Sequence, residues 1–195
     1  MLYSMIRGIA RFLLIILNGT TLIKNKQNLP DPKENVGYIL ISPHRSWLDP
    51  IYLALAASPK QFCFMAKKEL FKNPALRWLI TSMNAFPVDR ENPGPSAIKI
   101  PVTHLKEGKL GLVIFPSGSR HTSEAKEGAA MIARLAKVPI IPCVYQGPFS
   151  FKDLLKRKKT KVNFGTPIYI TTKEEQSNFS QSINVIFDVL DAELR

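Results

Sequence analysis

"GYILISPHRSWLDPIYLALAAS", residues 37–58, decides the fold. Gly37–Ser42 is a short apolar run bounded by turn residues, the mark of a buried strand. From Pro50 onward the chain reads as a helix, because proline is tolerated in a first helical turn. A strand that runs through a short polar turn into a helix is the repeating unit of a parallel sheet. His44 and Asp49 stand in that turn with four residues between them.

The same alternation continues outward. "QFCFMA" (61–66), "AFPV" (85–88), "LGLVIF" (110–115) and "IIPCVY" (140–145) read as strands, and "KVNFGTPIYI" (161–170) as a late strand or an edge. "NPALRWLITSM" (73–83), "GPSAIKIPVTHLKEG" (94–108) and "EGAAMIARLAKV" (127–138) read as helices, with Pro101 either kinking the second or sitting near its start. The chain closes on an amphipathic helix within 174–194, where Phe179, Ile183, Ile186, Phe187 and Leu190 keep helical spacing. "KNKQNLPDPKENVG" (24–37) is a polar loop. No repeat appears. Strands alternating with helices predict an α/β fold, a layered and mostly parallel sheet flanked by helices. Polar stretches follow several strand ends, and ligands of such sheets bind at the carboxyl ends of strands.

The 27 Lys and Arg against 15 Asp and Glu leave a net charge of +12. That excess points to nucleic acid, an anionic membrane surface or acidic substrates, against the plain alternative of a solvated basic surface. Cys63 and Cys143 both lie in apolar runs and read as buried free thiols, and the three histidines make no metal-binding spacing. "MIRGIARFLLIILNGTTLI" (5–23) carries two arginines, but polar residues from Asn18 to Thr21 interrupt it and no cleavage site for a secretory signal follows. Its continuous apolar run is far shorter than the roughly 20 residues a bilayer span needs. It reads as an amphipathic helix lying in a membrane interface, the alternative being a helix packed on the protein's own core.

Histidine titrates closest to neutrality, and a carboxylate bonded to its second ring nitrogen fixes the tautomer and stabilises the imidazolium. His44 and Asp49 are thus a candidate base and its orienting acid, against an alternative in which Asp49 merely caps the helix. "FPSGSRH" (115–121) places Ser117, Gly118, Ser119 and Arg120 after a strand, a candidate cradle for phosphate or an oxyanion. "FPVDR" (86–90) offers Arg90 beside Asp89 after another strand, and "VPIIPC" (138–143) carries no ionisable side chain.

Taken in order, these four blocks resemble the glycerolipid acyltransferase family. H-x-x-x-x-D is matched by His44 and Asp49, an aromatic-x-x-D-R-like stretch by "FPVDR", F-P-E-G-T-R-S by "FPSGSRH" and V-P-x-x-P by "VPIIP". Ser117 replaces the usual glutamate of the third block and Ser119 the usual threonine. The resemblance covers at least residues 37–147 and implies an acyltransferase domain over 31–195 behind a membrane-associating segment over 1–30. It implies transfer of a fatty acyl group from acyl-CoA or acyl-carrier protein to lysophosphatidic acid (1-acyl-sn-glycerol-3-phosphate), or to another lyso-lipid acceptor, without a cofactor or metal. His44 would be the base and Asp49 its partner. Arg120 with Gly118 and Ser119 would hold the phosphate, joined by Arg90, with Ser117 in the same loop. Backbone amides of the turn after His44 would stabilise the oxyanion. The implied setting is a peripheral, monotopic position on the cytoplasmic face of the cell membrane, against anionic lipids. Two other classes are weaker. A hydrolase with Ser46 or Cys143 as nucleophile lacks the G-x-S-x-G elbow. A nucleic-acid-binding protein would need more than the dispersed charge seen apart from "KRKKTK" (156–161).

Overall fold

The computed structural model describes residues 2–89, 92–116 and 122–195. Seven strands form one sheet: β1 (Thr21–Lys24), β2 (Ile39–Ile41), β3 (Gln61–Lys67), β4 (Ala85–Val88), β5 (Leu110–Ile114), β6 (Ile140–Gln146) and β7 (Thr160–Phe164). Among them lie α1 (Leu2–Asn18), α2 (Asp49–Ala56), α3 (Pro74–Ser82), α4 (Ser96–Lys106), α5 (Thr122–Ala136), α6 (Phe151–Leu155) and α7 (Lys173–Ala192). The strand order is β1-β7-β6-β2-β5-β3-β4. Strands β6, β2, β5, β3 and β4 run parallel, whereas β7 is antiparallel to β6 and carries β1 parallel to itself.

The predicted α/β class and the central strands are what the structure contains. Strands β2 and β6 are buried along nearly their whole length because both sheet faces are covered, which is why their sequences run apolar rather than alternate. One core gathers Ile39, Ile41 and Leu112 of the sheet with Ala129, Ile132 and Ala133 of α5 and with Phe179, Ile183, Phe187 and Leu190 of α7. The other gathers Leu40, Phe62, Val113 and Ile141 with Leu48, Tyr52 and Leu53 at the start of α2. Four of the five apolar positions expected to define the last helix are fully buried. That helix starts on a capping box, with the Thr172 hydroxyl accepting from the Glu175 amide and the Glu175 carboxylate from the Thr172 amide.

Three features differ from the sequence reading. Residues 21–24 form β1, a short exposed strand whose sequence is too brief to show a period. The late strand β7 is not an edge, since β1 covers its outer side. Of the two readings of Pro101, the place near the start of α4 fails: it sits buried in the helix middle, where its missing N–H forgoes the bond to the Ala97 carbonyl and its ring joins the packed face. Helix α1 packs on the body of the protein by one face and leaves the other exposed. Tyr3, Leu14 and Asn18 face the body of the protein: the Tyr3 hydroxyl accepts from the Phe62 amide, and the Asn18 amide donates to the Thr160 hydroxyl. Met5, Ile9, Phe12 and Ile16 form the opposite stripe and are exposed.

The turn from α4 into β5 depends on Gly108. Its φ of +69° is a left-handed conformation, and a Cβ there would lie 1.7 Å from the Asn35 carbonyl oxygen. Gly108→Ala should therefore destabilise the fold by at least about 1 kcal/mol, seen as a lower urea midpoint with an unchanged slope.

Candidate active site

The loop between β2 and α2 is folded around one carboxylate. Asp49 is the first residue of α2 and is fully buried. Its side chain does not cap its own helix. Instead Oδ2 turns back and accepts from the Arg45 amide at 2.6 Å and the Ser46 amide at 2.8 Å, and meets His44 Nδ1 at 3.2 Å. A buried carboxylate demands such donors, and the positive end of a helix supports it further. Among the described residues its Oδ1 has no partner. The plain helix-capping alternative for Asp49 thus fails, and the histidine–aspartate pair predicted from spacing is present.

Asp49 holds the ring through Nδ1. The His44 side chain is 37% exposed, enough for a substrate to reach the ring. One ring face lies against Phe115, with centroids 4.7 Å apart. Phe115 follows β5, the strand hydrogen-bonded beside β2, and opens the "FPSGSRH" stretch. Topology therefore brings the first and third blocks together at one sheet edge. Ser117, Gly118, Ser119 and Arg120 lie outside the described residues, as does Arg90. Arg90 follows β4, which is separated from β2 by β5 and β3, so its strand end stands about 14 Å from that of β2. The fourth block enters β6 from the opposite edge and serves the sheet: Pro142 pairs with Ile41, and its carbonyl accepts from the Gly165 amide at 2.7 Å.

Sequence reasoning missed the outer support of this loop. The Arg45 guanidinium grips the Asp191 carboxylate of α7 with both terminal nitrogens, Nη1 to Oδ1 at 2.9 Å and Nη2 to Oδ2. Gln146, at the end of β6, donates to the same Oδ1 at 3.1 Å and to the Asp191 carbonyl at 2.9 Å. Burial acts to raise the Asp191 pKa, but the bonds from Arg45 and Gln146 outweigh it and hold the carboxyl below its ordinary range. A depressed carboxylate stabilises above its unfolded pKa and loses that contribution as pH falls through the folded one, so the clasp is intact at neutrality. The pair is 146 positions apart in sequence, and no local pattern signals it.

Neither nucleophile named for the hydrolase alternative is poised to react. The Ser46 hydroxyl donates to the Phe149 carbonyl at 3.0 Å and accepts from the Leu48 amide at 3.1 Å. Burial pushes the Cys143 thiol far up, leaving no thiolate near neutrality. Within the turn after His44, whose amides the resemblance implies as oxyanion donors, those of Arg45 and Ser46 bond Asp49. Among the described residues no cluster of three His, Cys, Asp or Glu side chains is arranged to hold a metal ion.

Asp191→Ala should leave the two cores in place but loosen the loop that Arg45 anchors. The expected outcome is faster amide hydrogen exchange at Arg45 and Ser46 with unchanged protection at Leu40 and Val113.

A family model described as Acyltransferase matches residues 21–146, which include the loop between β2 and α2 and every strand from β1 to β6. The chain is similar to the 1-acyl-sn-glycerol-3-phosphate acyltransferase of Streptococcus pneumoniae, 45% identical over 200 residues that cover 100% of this chain and 75% of the relative. It is similar to the enzyme of that name from Bacillus subtilis, 40% identical over 179 residues and 88% of each chain. Its fold is that of the 1-acyl-sn-glycerophosphate (LPA) acyltransferase of Thermotoga maritima, with a TM-score of 0.70 at 19% identity over 97% of this chain and 78% of the other. With the dyad at the mouth of β2 and these relatives along its length, the chain belongs to the acyltransferase family.

Proposed function

We propose that this acyltransferase moves a fatty acyl group from acyl-CoA or acyl-carrier protein to the free hydroxyl of 1-acyl-sn-glycerol-3-phosphate, giving phosphatidic acid. The observation that carries the reading is the accessible His44 ring held at Nδ1 by buried Asp49, in a chain whose curated relatives bear the name of that reaction. His44 Nε2 takes the hydroxyl proton as the glycerol oxygen attacks the thioester carbonyl carbon. A tetrahedral oxyanion forms, then collapses with cleavage of the C–S bond, and the departing thiolate receives the proton from the imidazolium. Asp49 stabilises the charged ring and keeps its tautomer. No acyl-enzyme and no cofactor are needed.

Arg120, Gly118, Ser119 and Ser117 are assigned to the acceptor phosphate because their loop begins at Phe115, against His44. Arg90 is assigned to the same anion. The enzyme is assigned to the cytoplasmic face of the cell membrane as a peripheral, monotopic protein. Among the described residues no helix is long and apolar enough to cross a membrane, while α1 exposes an apolar stripe and the chain carries a net charge of +12. Such a helix lies in the interface, and such a charge favours anionic lipids.

Lipid mass spectrometry of products from a panel of lyso-acceptors, with both thioester donors, tests the reading. Phosphatidic acid should dominate, and preference for a different lyso-lipid would replace the acceptor while leaving the chemistry. His44→Ala should lower kcat by about 10²–10⁴-fold with the fold retained, because general-base catalysis is worth that much. Asp49→Asn should lower kcat as well. Arg120→Lys should raise KM for the phosphorylated acceptor more than for the donor, since an ammonium cannot grip two phosphate oxygens at once.

A further inference from the structure

Both tryptophans of this chain are exposed, Trp47 by 58% and Trp78 by 60%, although tryptophan is on average a highly buried residue. Trp47 lies in the loop that carries His44. Trp78 lies on α3, a helix with no buried residue at all. Leu79 beside it and Leu70 in the preceding 3₁₀ turn (Lys68–Lys72) are also exposed. A hollow of about 420 Å³ opens here, lined by Phe71, Lys72, Pro74, Arg77 and Trp78. The segment 67–82 holds four basic residues, Lys67, Lys68, Lys72 and Arg77, against one acid, Glu69. Lys67 meets Glu69 and Lys68 meets Asp89, while Lys72 and Arg77 make no ion pair among the described residues.

The position of α3 follows from topology. Going from β2 to β3 and from β3 to β4, the chain steps toward the same side of the sheet, and it steps back from β4 to β5 and from β5 to β6. Right-handed crossovers then put α2 and α3 on one face and α4 and α5 on the other. Helices α4, α5 and α7 pack on one another over that second face. Helix α1 packs through Leu14 on the core that α2 covers, so α1 and α3 share a face.

We propose that the α3 segment, with Leu70, Trp78 and Leu79 as its apolar contacts and Lys72 and Arg77 as its anionic-lipid contacts, is a second membrane-docking element on the same face as the exposed stripe of α1. An apolar patch rimmed by unpaired cations, with a tryptophan at its centre, matches the headgroup level of an anionic bilayer better than it matches water. Two separated contacts on one face fix orientation, which α1 alone leaves free to roll about its axis. The inference rests on the membrane association proposed above.

The experiment uses the full chain with Trp47→Phe, which leaves Trp78 as the only tryptophan. Vesicles of phosphatidylcholine with 30% phosphatidylglycerol are the probe, with and without bromine at shallow acyl positions. Trp78 emission should shift to the blue and be quenched by the bromines. Lys72→Gln with Arg77→Gln should weaken binding to these vesicles by about 30-fold, at roughly 1 kcal/mol per charge, and leave binding to pure phosphatidylcholine unchanged. Phe12→Asp in α1 should weaken binding to both. If the protein binds but Trp78 is neither shifted nor quenched, α1 is the sole contact and the inference falls while the membrane assignment stands. If the chain binds neither vesicle, the membrane assignment itself falls, and this inference with it. A shift of Trp78 on adding acidic acyl-carrier protein without vesicles, or on raising the enzyme concentration alone, would overturn it in favour of a carrier or a second copy.

Discussion

Everything in the catalytic region depends on one buried negative charge. Asp49 is fully buried, next to Leu48 of the second core, beneath a loop whose amides have no strand or helix to bond. Taking a carboxylate out of water costs several kcal/mol unless donors replace the solvent. The Arg45 and Ser46 amides and the His44 ring are those donors, and bonding them bends residues 43–48 into the shape that aims His44 outward. One atom, Oδ2, therefore closes the turn and holds the histidine ring. In the proposed mechanism the same charge that solves a folding problem prepares the base for its proton.

The parallel core sets the surroundings of that charge. Strand β2 lies between β5 and β6, the most protected place in the sheet. The loop after β2 is anchored inward by Asp49 and outward through Arg45 to α7, so it is held from two sides by groups that share the residue Arg45: its amide faces the acid and its guanidinium faces the last helix. Phe115, from the neighbouring strand, covers one face of the histidine ring.

The central architecture was readable because burial on both faces leaves a plain trace. "GYILI", "LGLVIF" and "IIPCVY" are apolar without alternation, and turn residues mark their ends. The dyad was readable because both members lie within one loop. Strand β1 was not, because four residues in an otherwise polar and apolar mixture carry no period, and its pairing with β7 is purely tertiary. The Asp191 clasp was hidden for the same reason, as a surface aspartate on an amphipathic helix looks like solubility until the fold brings Arg45 to it. That Asp49 would claim the Arg45 and Ser46 amides was not legible either, because the sequence does not show which way a buried carboxylate turns. Ser46 was a reasonable hydroxyl candidate, yet its bonds to Phe149 and Leu48 make it a splint.

The pairing of β1 with β7 ties residues 21–24 to residues 160–163. On the ribosome the first strand is thus made long before the only strand it can join, and α1 waits with it, since Asn18 reaches for Thr160 and Ile16 for Arg157. The beginning of this chain is completed by its end. A nascent enzyme carries an unclosed sheet edge and an undocked apolar helix until most of its length has been translated. Helix α1 therefore stays undocked until the strand that Asn18 bonds has been made, and the helix that clasps Arg45 follows soon after, so the two ends of the fold close nearly together.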